Sequence, residues 1–329
     1  MYEALYYKNG DRDQGITCLL CPKNCTIGEG KTGFCRTRKN SGGKLYVLNY
    51  AACSSYAFDS IEKKPLYHFY PGKQILSLGT WGCNFSCQFC QNWQLAQAEP
   101  QTMYLPPDRA VFMAKQAGTD NIGIAFTYSE PGVWYEYVLD TARLANMTGL
   151  KNVLVTNGFI NSKPLMNLLP YVDAMNIDVK AFSDDYYRQI CAGRLDNVKQ
   201  TVELASRYCH VEVTTLLVPG LNDSMKEIEA LAKWLSFISP KIPLHFSRYY
   251  PNYRIFTPST PLATLEKAYQ IARHYLNYVY LGNVGSPFSN TYCPACSALL
   301  VDRAHTTISY LTQDNACPNC GGLIDISFF

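Results

Sequence analysis

The run Gln74-Ile-Leu-Ser-Leu-Gly79-Thr-Trp-Gly82-Cys83-Asn-Phe-Ser-Cys87-Gln-Phe89-Cys90 decides how this chain is read. Its opening, Gln74 to Gly79, is an apolar, strand-like run. Its close is a loop with cysteines spaced C-x3-C-x2-C. Three thiolates on one tight loop can hold three corners of a cubane 4Fe–4S cluster, and the fourth iron then stays open to a substrate. A structural zinc site needs a fourth protein ligand, and none is adjacent in the sequence.

Downstream of this loop, strand-like and helical patterns alternate. Pro107-Asp108 opens a helix through about Ala117, with Asp108 a cap or first-turn acid. Strands are expected at Asn121–Thr127, Asn152–Thr156, Ala174–Val179, Val211–Val218 and Leu244–Tyr249, and Tyr278–Leu281 adds a candidate seventh. Val133 to Met147 reads as a helix. Such alternation argues for parallel pairing. The expected fold is α/β: a partial (β/α)6 TIM-like barrel over residues 73–285, with small Cys-rich metal-binding modules at both ends. The ends are residues 1–72, an N-terminal module and lead-in, and 286–329, a C-terminal zinc ribbon. Barrel active sites form at the C-terminal ends of the strands, and the polar clusters considered below fall at such ends.

The chain has 329 residues, enough for one large domain with small additions. Lys and Arg number 29 against 26 Asp and Glu, a net +3 that is too weak a bias to argue for nucleic acid or a membrane surface. The first ten residues have no basic or apolar leader pattern, and no run is apolar enough for a membrane span. A cytoplasmic location is therefore expected, with no membrane partner. In a reducing compartment, 14 cysteines point to metal ligands rather than disulfides. Cys53, Cys191 and Cys209 stand alone and read as small buried side chains.

The remaining cysteines form two outer groups. Cys293-x2-Cys296-x20-Cys317-x2-Cys320 has the two-knuckle pattern of a four-thiolate zinc ribbon, although tetrahedral sulphur ligation also suits iron. Cys18-x2-Cys21-x3-Cys25-x9-Cys35 offers four ligands around Gly-rich turns, for zinc or a second Fe–S cluster. No Ser/His/Asp or Cys/His arrangement can be argued, and no phosphate loop is present. His68 reads as packed, and nothing acidic neighbours His245 in sequence.

The C-x3-C-x2-C loop, with Phe89 just before its third cysteine, resembles the signature of the radical S-adenosylmethionine (SAM) superfamily. That resemblance implies SAM bound through its amino and carboxyl groups at the open iron, and a 5′-deoxyadenosyl radical on reductive cleavage. In the superfamily a Gly-Gly-Glu-like segment holds the methionine amino group. The matching positions here are Tyr128, Ser129 and Glu130, so the resemblance implies that main-chain carbonyls do the holding. It also implies SAM contacts at Thr156 and Asn157, and at Asp178 and Lys180, which share one face of their strand with Asn176. The segment from Asp178-Val-Lys180 to Val218-Pro-Gly220 resembles the activating enzymes of glycyl-radical enzymes. The basic residue those enzymes carry before Val-Pro-Gly falls on Thr214 here, and Arg248 is the candidate replacement charge.

Cys18 to Cys25, Gly33-Phe-Cys35, Glu62-Lys-Lys-Pro-Leu-Tyr-His-Phe-Tyr-Pro71 and the terminal Cys-Pro-x-Cys pair extend the match to nearly the whole chain. Together they resemble the radical SAM enzyme of the AmmeMemoRadiSam system. That family implies a flavodoxin- or ferredoxin-type reductant, Memo-like and AMMECR1-like partners, and a protein or small-molecule substrate that it does not name. An activase installing a glycyl radical and an RNA-modifying enzyme remain open alternatives. Charge argues against RNA, because residues 286–329 hold Arg303 as their one fixed positive charge.

Overall fold

The computed structural model describes residues 2–10, 15–285 and 287–328. Its centre is an eight-stranded sheet running in one line. The strands are β1 (Ser55–Ser60), β2 (Gln74–Gly79), β3 (Asn121–Phe126), β4 (Lys151–Thr156), β5 (Ala174–Asp178), β6 (His210–Leu217), β7 (Leu244–Arg248) and β8 (Val279–Gly282). They lie in chain order, β1 to β8, across the sheet. From β2 to β8 every pairing is parallel. Seven parallel strands thus replace the six-unit count, and the seventh is the Tyr278–Leu281 run. β1 pairs antiparallel with β2. It comes from the segment read as N-terminal lead-in and was not anticipated. Its pattern is that of an edge strand, with Tyr56 50% and Phe58 43% exposed.

The parallel strands are covered on both faces, so their apolar runs are continuous. In β3, Ile124, Ala125 and Phe126 are all fully buried. The strand passes so close to β4 that a Cβ on Gly123 would sit 1.9 Å from the Lys151 carbonyl oxygen, which only glycine allows. Helices α1 (Pro107–Gln116), α2 (Tyr135–Met147), α3 (Ser162–Leu168), α4 (Leu195–Ala205), α5 (Met225–Ile238) and α6 (Leu262–Arg273) lie between the parallel strands in sequence. Pro107 opens α1 and Asp108 lies in its first turn. Ser224 caps α5 by accepting from the Glu227 amide.

The ends of the chain form small three-stranded sheets. Two are N-terminal, of Tyr2–Glu3, Lys44–Val47 and Arg38–Ser41, and of Tyr7–Asn9, Ile16–Cys18 and Thr26–Ile27. The third, of Thr291–Tyr292, Leu299–Asp302 and Ile308–Ser309, carries the terminal cysteines. It packs with the segment Tyr67–Tyr70 at the base of the sheet, where Tyr70 donates its amide to Ser327 at 2.7 Å and His68 Nδ1 meets the Asp325 carbonyl at 2.8 Å. Among the described residues no helix is long and apolar enough to cross a membrane.

Candidate active site

The loop after β2 is held from both sides. Gly82 has φ +91°, and a Cβ there would meet Thr37 Cγ2 at 2.4 Å and the Cys35 carbonyl oxygen at 2.8 Å. The loop thus lies directly on the N-terminal module. On its other side, Ser86 and Gln88 donate backbone bonds to Cys191 and Ile190, both at 3.0 Å. Gly193 lies against the Phe85 ring, at 2.3 Å from a notional Cβ. Cys83 Sγ accepts from the Phe85 amide at 3.3 Å and from Asn157 Nδ2 at 3.6 Å. Burial pushes the Cys83 thiol well above its usual range. A hydrogen bond between its thiol and Cys191, together with burial, raises that of Cys87. Burial lifts that of Cys90 to about 11. Without a metal these groups stay protonated, whereas a bound cation deprotonates a coordinating thiol outright.

The three cysteines line a cavity of about 260 Å³ at the C-terminal ends of the strands. Phe89, Tyr128, Ser129, Glu130, Asn157, Asp178 and Lys180 line it too, as do Thr214 and Ser247. Residues as far apart in sequence as Cys83 and Ser247 are thereby brought together by the parallel strands.

Glu130 is 5% exposed, and its carboxylate is fully engaged. Oε1 accepts from the Gly132 amide at 2.8 Å and Thr156 Oγ1 at 2.7 Å, and Oε2 from the Asn157 amide at 2.8 Å. Burial raises its pKa, and these three bonds oppose that rise. Glu130 therefore ties the turn after β3 to the turn after β4. Thr156 does not line the cavity; it acts through Glu130. Tyr128 sits at φ +67°, a conformation that favours glycine. Its hydroxyl donates to Asp59 Oδ2 at 2.8 Å and its carbonyl accepts from Asn92 Nδ2 at 2.8 Å, so the turn is anchored at both ends. Lys180 and Asp178 form an ion pair at 2.7 Å. Burial works against the Lys180 charge, but Asp178 outweighs it and raises its pKa.

Residues 78–235 match the model of the family described as the Radical SAM superfamily. The chain is a member of the radical SAM superfamily, and it is an enzyme. It is 42% identical over 337 residues to the uncharacterized protein MJ0808 of Methanocaldococcus jannaschii, with 99% of each chain covered. It is 28% identical over 129 residues to the isethionate sulfite-lyase activating enzyme of Oleidesulfovibrio alaskensis, covering 38% of this chain and 40% of that one. Among solved structures, the S-adenosylmethionine-bound SuiB of Streptococcus suis superposes with a TM-score of 0.51 at 16% identity, over 64% of this chain and 52% of that one. That likeness concerns the fold.

Membership of the radical SAM superfamily implies a 4Fe–4S cluster and SAM, and the residues here fit both. Three thiols face one cavity, and two buried hydroxyls on its wall, Ser129 Oγ and Thr214 Oγ1, have no hydrogen-bond partner. Unpaired buried donors of this kind are costly unless a ligand satisfies them. Arg248, expected to add positive charge, points elsewhere. Its Nε donates to the Thr260 carbonyl at 2.8 Å and its guanidinium lies over Tyr250. Ser247, one position earlier, takes the cavity face instead, and the positive charge among the lining residues is that of Lys180.

The same wall opens a second space that sequence reasoning missed. A cavity of about 490 Å³ shares Tyr128, Thr214 and Ser247 with the first and adds Asp59, Glu62, Lys64, Tyr67 and His245. Lys64 is 3% exposed and pairs with Asp59 at 2.7 Å. Lys64, inside the motif Glu62–Pro71, and Asp59, three residues before that motif, were the available signal. In the terminal module, Cys293 and Cys320 Sγ lie 3.6 Å apart, as do Cys296 and Cys317. Among the described residues, these four form the one group of His, Cys, Asp or Glu ligand atoms drawn within 4.8 Å of one another.

Proposed function

We propose that this enzyme cleaves SAM reductively and uses the resulting 5′-deoxyadenosyl radical to abstract hydrogen from a substrate seated in the second cavity. The observation that carries the reading is the shared wall. Tyr128, Thr214 and Ser247 border both the cysteine-lined cavity and the larger space beside it. A 4Fe–4S cluster held by Cys83, Cys87 and Cys90 supplies the electron. The chain's own residues do the rest. The main chain at Tyr128 and Ser129, fixed by Asp59, Asn92 and Glu130, holds the amino group of SAM. Thr214 and Ser129 offer it free hydroxyls, and Lys180 faces its carboxylate. Phe89 borders the same pocket as an apolar wall.

The sheet, with its seven parallel strands, is taken as the partial barrel of such enzymes. The terminal four-cysteine set is taken as a structural zinc ribbon, since contact at 3.6 Å suits one tetrahedral ion. A low-potential flavodoxin or ferredoxin is the electron donor, in a reducing cytoplasm that suits 14 free cysteines. A protein substrate is favoured, because activating enzymes of glycyl-radical enzymes are among its relatives. Memo-like and AMMECR1-like proteins are the partners to try first. The RNA reading loses its one basic handle: Arg303 is buried and donates to Ser289, Thr291 and Tyr67. The test is EPR. Anaerobically reconstituted, dithionite-reduced protein should show a cluster signal that changes shape when SAM is added. An unchanged spectrum at saturating SAM would remove the basis for the proposal.

A further inference from the structure

The N-terminal cysteines carry a second inference. We propose that Cys18, Cys21, Cys25 and Cys35 ligate an auxiliary cubane 4Fe–4S cluster next to the SAM site, rather than a zinc ion. All four line one small cavity between the N-terminal sheets and the loop after β2. Yet they are not drawn together as the terminal four are. One tetrahedral ion with metal–sulphur bonds of about 2.3 Å forces its four sulphurs into near contact, and the terminal set shows that at 3.6 Å. The corners of a cubane hold their sulphurs farther apart. Among the described residues, the sulphurs of Cys83, Cys87 and Cys90, the set that the superfamily assigns to such a cluster, likewise do not all come within 4.8 Å of one another. The sequence agrees: C-x2-C-x3-C is the C-x3-C-x2-C of the radical loop in reverse order, with Cys35 as a fourth corner.

A second observation is independent of the thiols. Arg38 lines the same cavity and is 1% exposed. Its Nη1 and Nη2 donate to Glu136 at 3.0 and 2.6 Å, while its Nε is buried without a partner. A guanidinium N–H held there in low dielectric is a donor waiting for an anionic sulphur. Cys25 Sγ already accepts from the Phe34 amide at 3.5 Å, the kind of bond that tunes cluster potentials. Lys23 lines the cavity too, and its ammonium is fixed on the Ala192 carbonyl.

The neighbouring site is one side chain away. Asn84 lines the N-terminal cavity, its Oδ1 accepts from Asn157 Nδ2 at 2.9 Å, and the same Oδ1 is 4.0 Å from Cys83 Sγ. The auxiliary cluster is thereby placed to take one electron from a flavodoxin- or ferredoxin-type donor and pass it on, returning to its oxidised state as the radical cluster is reduced.

The experiment uses the full-length Cys83→Ala, Cys87→Ala, Cys90→Ala variant, reconstituted anaerobically. It should retain about four iron and four sulphide per chain and give, on reduction, an EPR signal indifferent to SAM. No sulphide with two zinc per chain, or about two iron, would overturn the proposal. Wild-type protein supplies a check should the variant misfold. It should hold about eight iron, and its doubly reduced spectrum should be broadened by coupling between neighbouring clusters. About four iron with no broadening would count against the second site. A SAM-sensitive signal in the triple variant would instead refute the assignment of Cys83, Cys87 and Cys90, so the two readings fail separately.

Discussion

The mouth and the base of the sheet treat buried polar groups in opposite ways. At the base, Glu212 on β6 is fully buried and accepts from His245 Nε2 at 2.6 Å, His210 Nε2 at 2.9 Å and the His68 amide at 2.7 Å. Burial works against its charge, but the bonds from His210 and His245 outweigh it and hold its carboxyl well below the usual range. His68 continues the network to Tyr280, which meets Thr291 at 2.8 Å, and Arg303 donates to the same threonine. At the mouth, the hydroxyls of Ser129 and Thr214 are buried on the cavity wall without a partner, beside the three thiols of the cysteine loop. Both regions sit on the same strands, so strand propensity does not explain the contrast. A finished network serves stability, and an unfinished one is held open for a ligand.

The contrast breaks most visibly at Glu212. Glu212→Ala leaves two imidazoles and the His68 amide without their acceptor, and should cost about 3–5 kcal/mol in denaturant unfolding. A loss under about 1 kcal/mol would mean that the base is not a cooperative network.

The next largest effect is a pH dependence from the same network. Burial lowers the pKa of His68 from 6.5 to about 4. A histidine kept neutral in the fold contributes its full stability above pH 6.5. That stability is lost as pH falls from 6.5 towards 4, because the unfolded chain binds the proton more readily. The loss should approach about 3 kcal/mol for this buried group. His68→Asn should flatten this limb of the pH–stability curve, and an unchanged slope would contradict the assignment.

A matched pair of smaller changes sharpens the comparison. Thr214→Val at the mouth removes a hydroxyl with no partner. It should leave stability unchanged while weakening SAM binding about five- to tenfold, the worth of one hydrogen bond. Thr291→Val at the base removes a hydroxyl bonded to Tyr280 and Arg303. It should cost about 1–2 kcal/mol of stability with SAM affinity intact. Calorimetric titration and urea melts of both variants check this. The reverse pattern would exchange the roles given to the two regions.

The sequence was most readable where chemistry and backbone coincide. Each parallel strand contains a short apolar run, and the cysteine loop follows the first of them. β1 was hidden because both its faces are partly exposed and Asp59 interrupts its apolar pattern, as befits an edge strand. Arg248 was misplaced by one position. Leu244, His245 and Phe246 are all buried, so the inward face of β7 leaves no alternation to read, and parity decides everything at a strand end. The partner of His245 was unreadable for a similar reason, since Glu212 lies on the neighbouring strand and 33 positions away. The looser spacing of the N-terminal thiols, as against the contact of the terminal ones, is a property of three dimensions that ligand spacing alone leaves open.

Product analysis tests the central claim most directly. Reconstituted protein, reduced anaerobically and given SAM, should release 5′-deoxyadenosine and methionine in equal amounts, and the Cys83→Ala, Cys87→Ala, Cys90→Ala variant should release neither. Formation of S-adenosylhomocysteine in their place, or undiminished 5′-deoxyadenosine from the triple variant, would contradict the account.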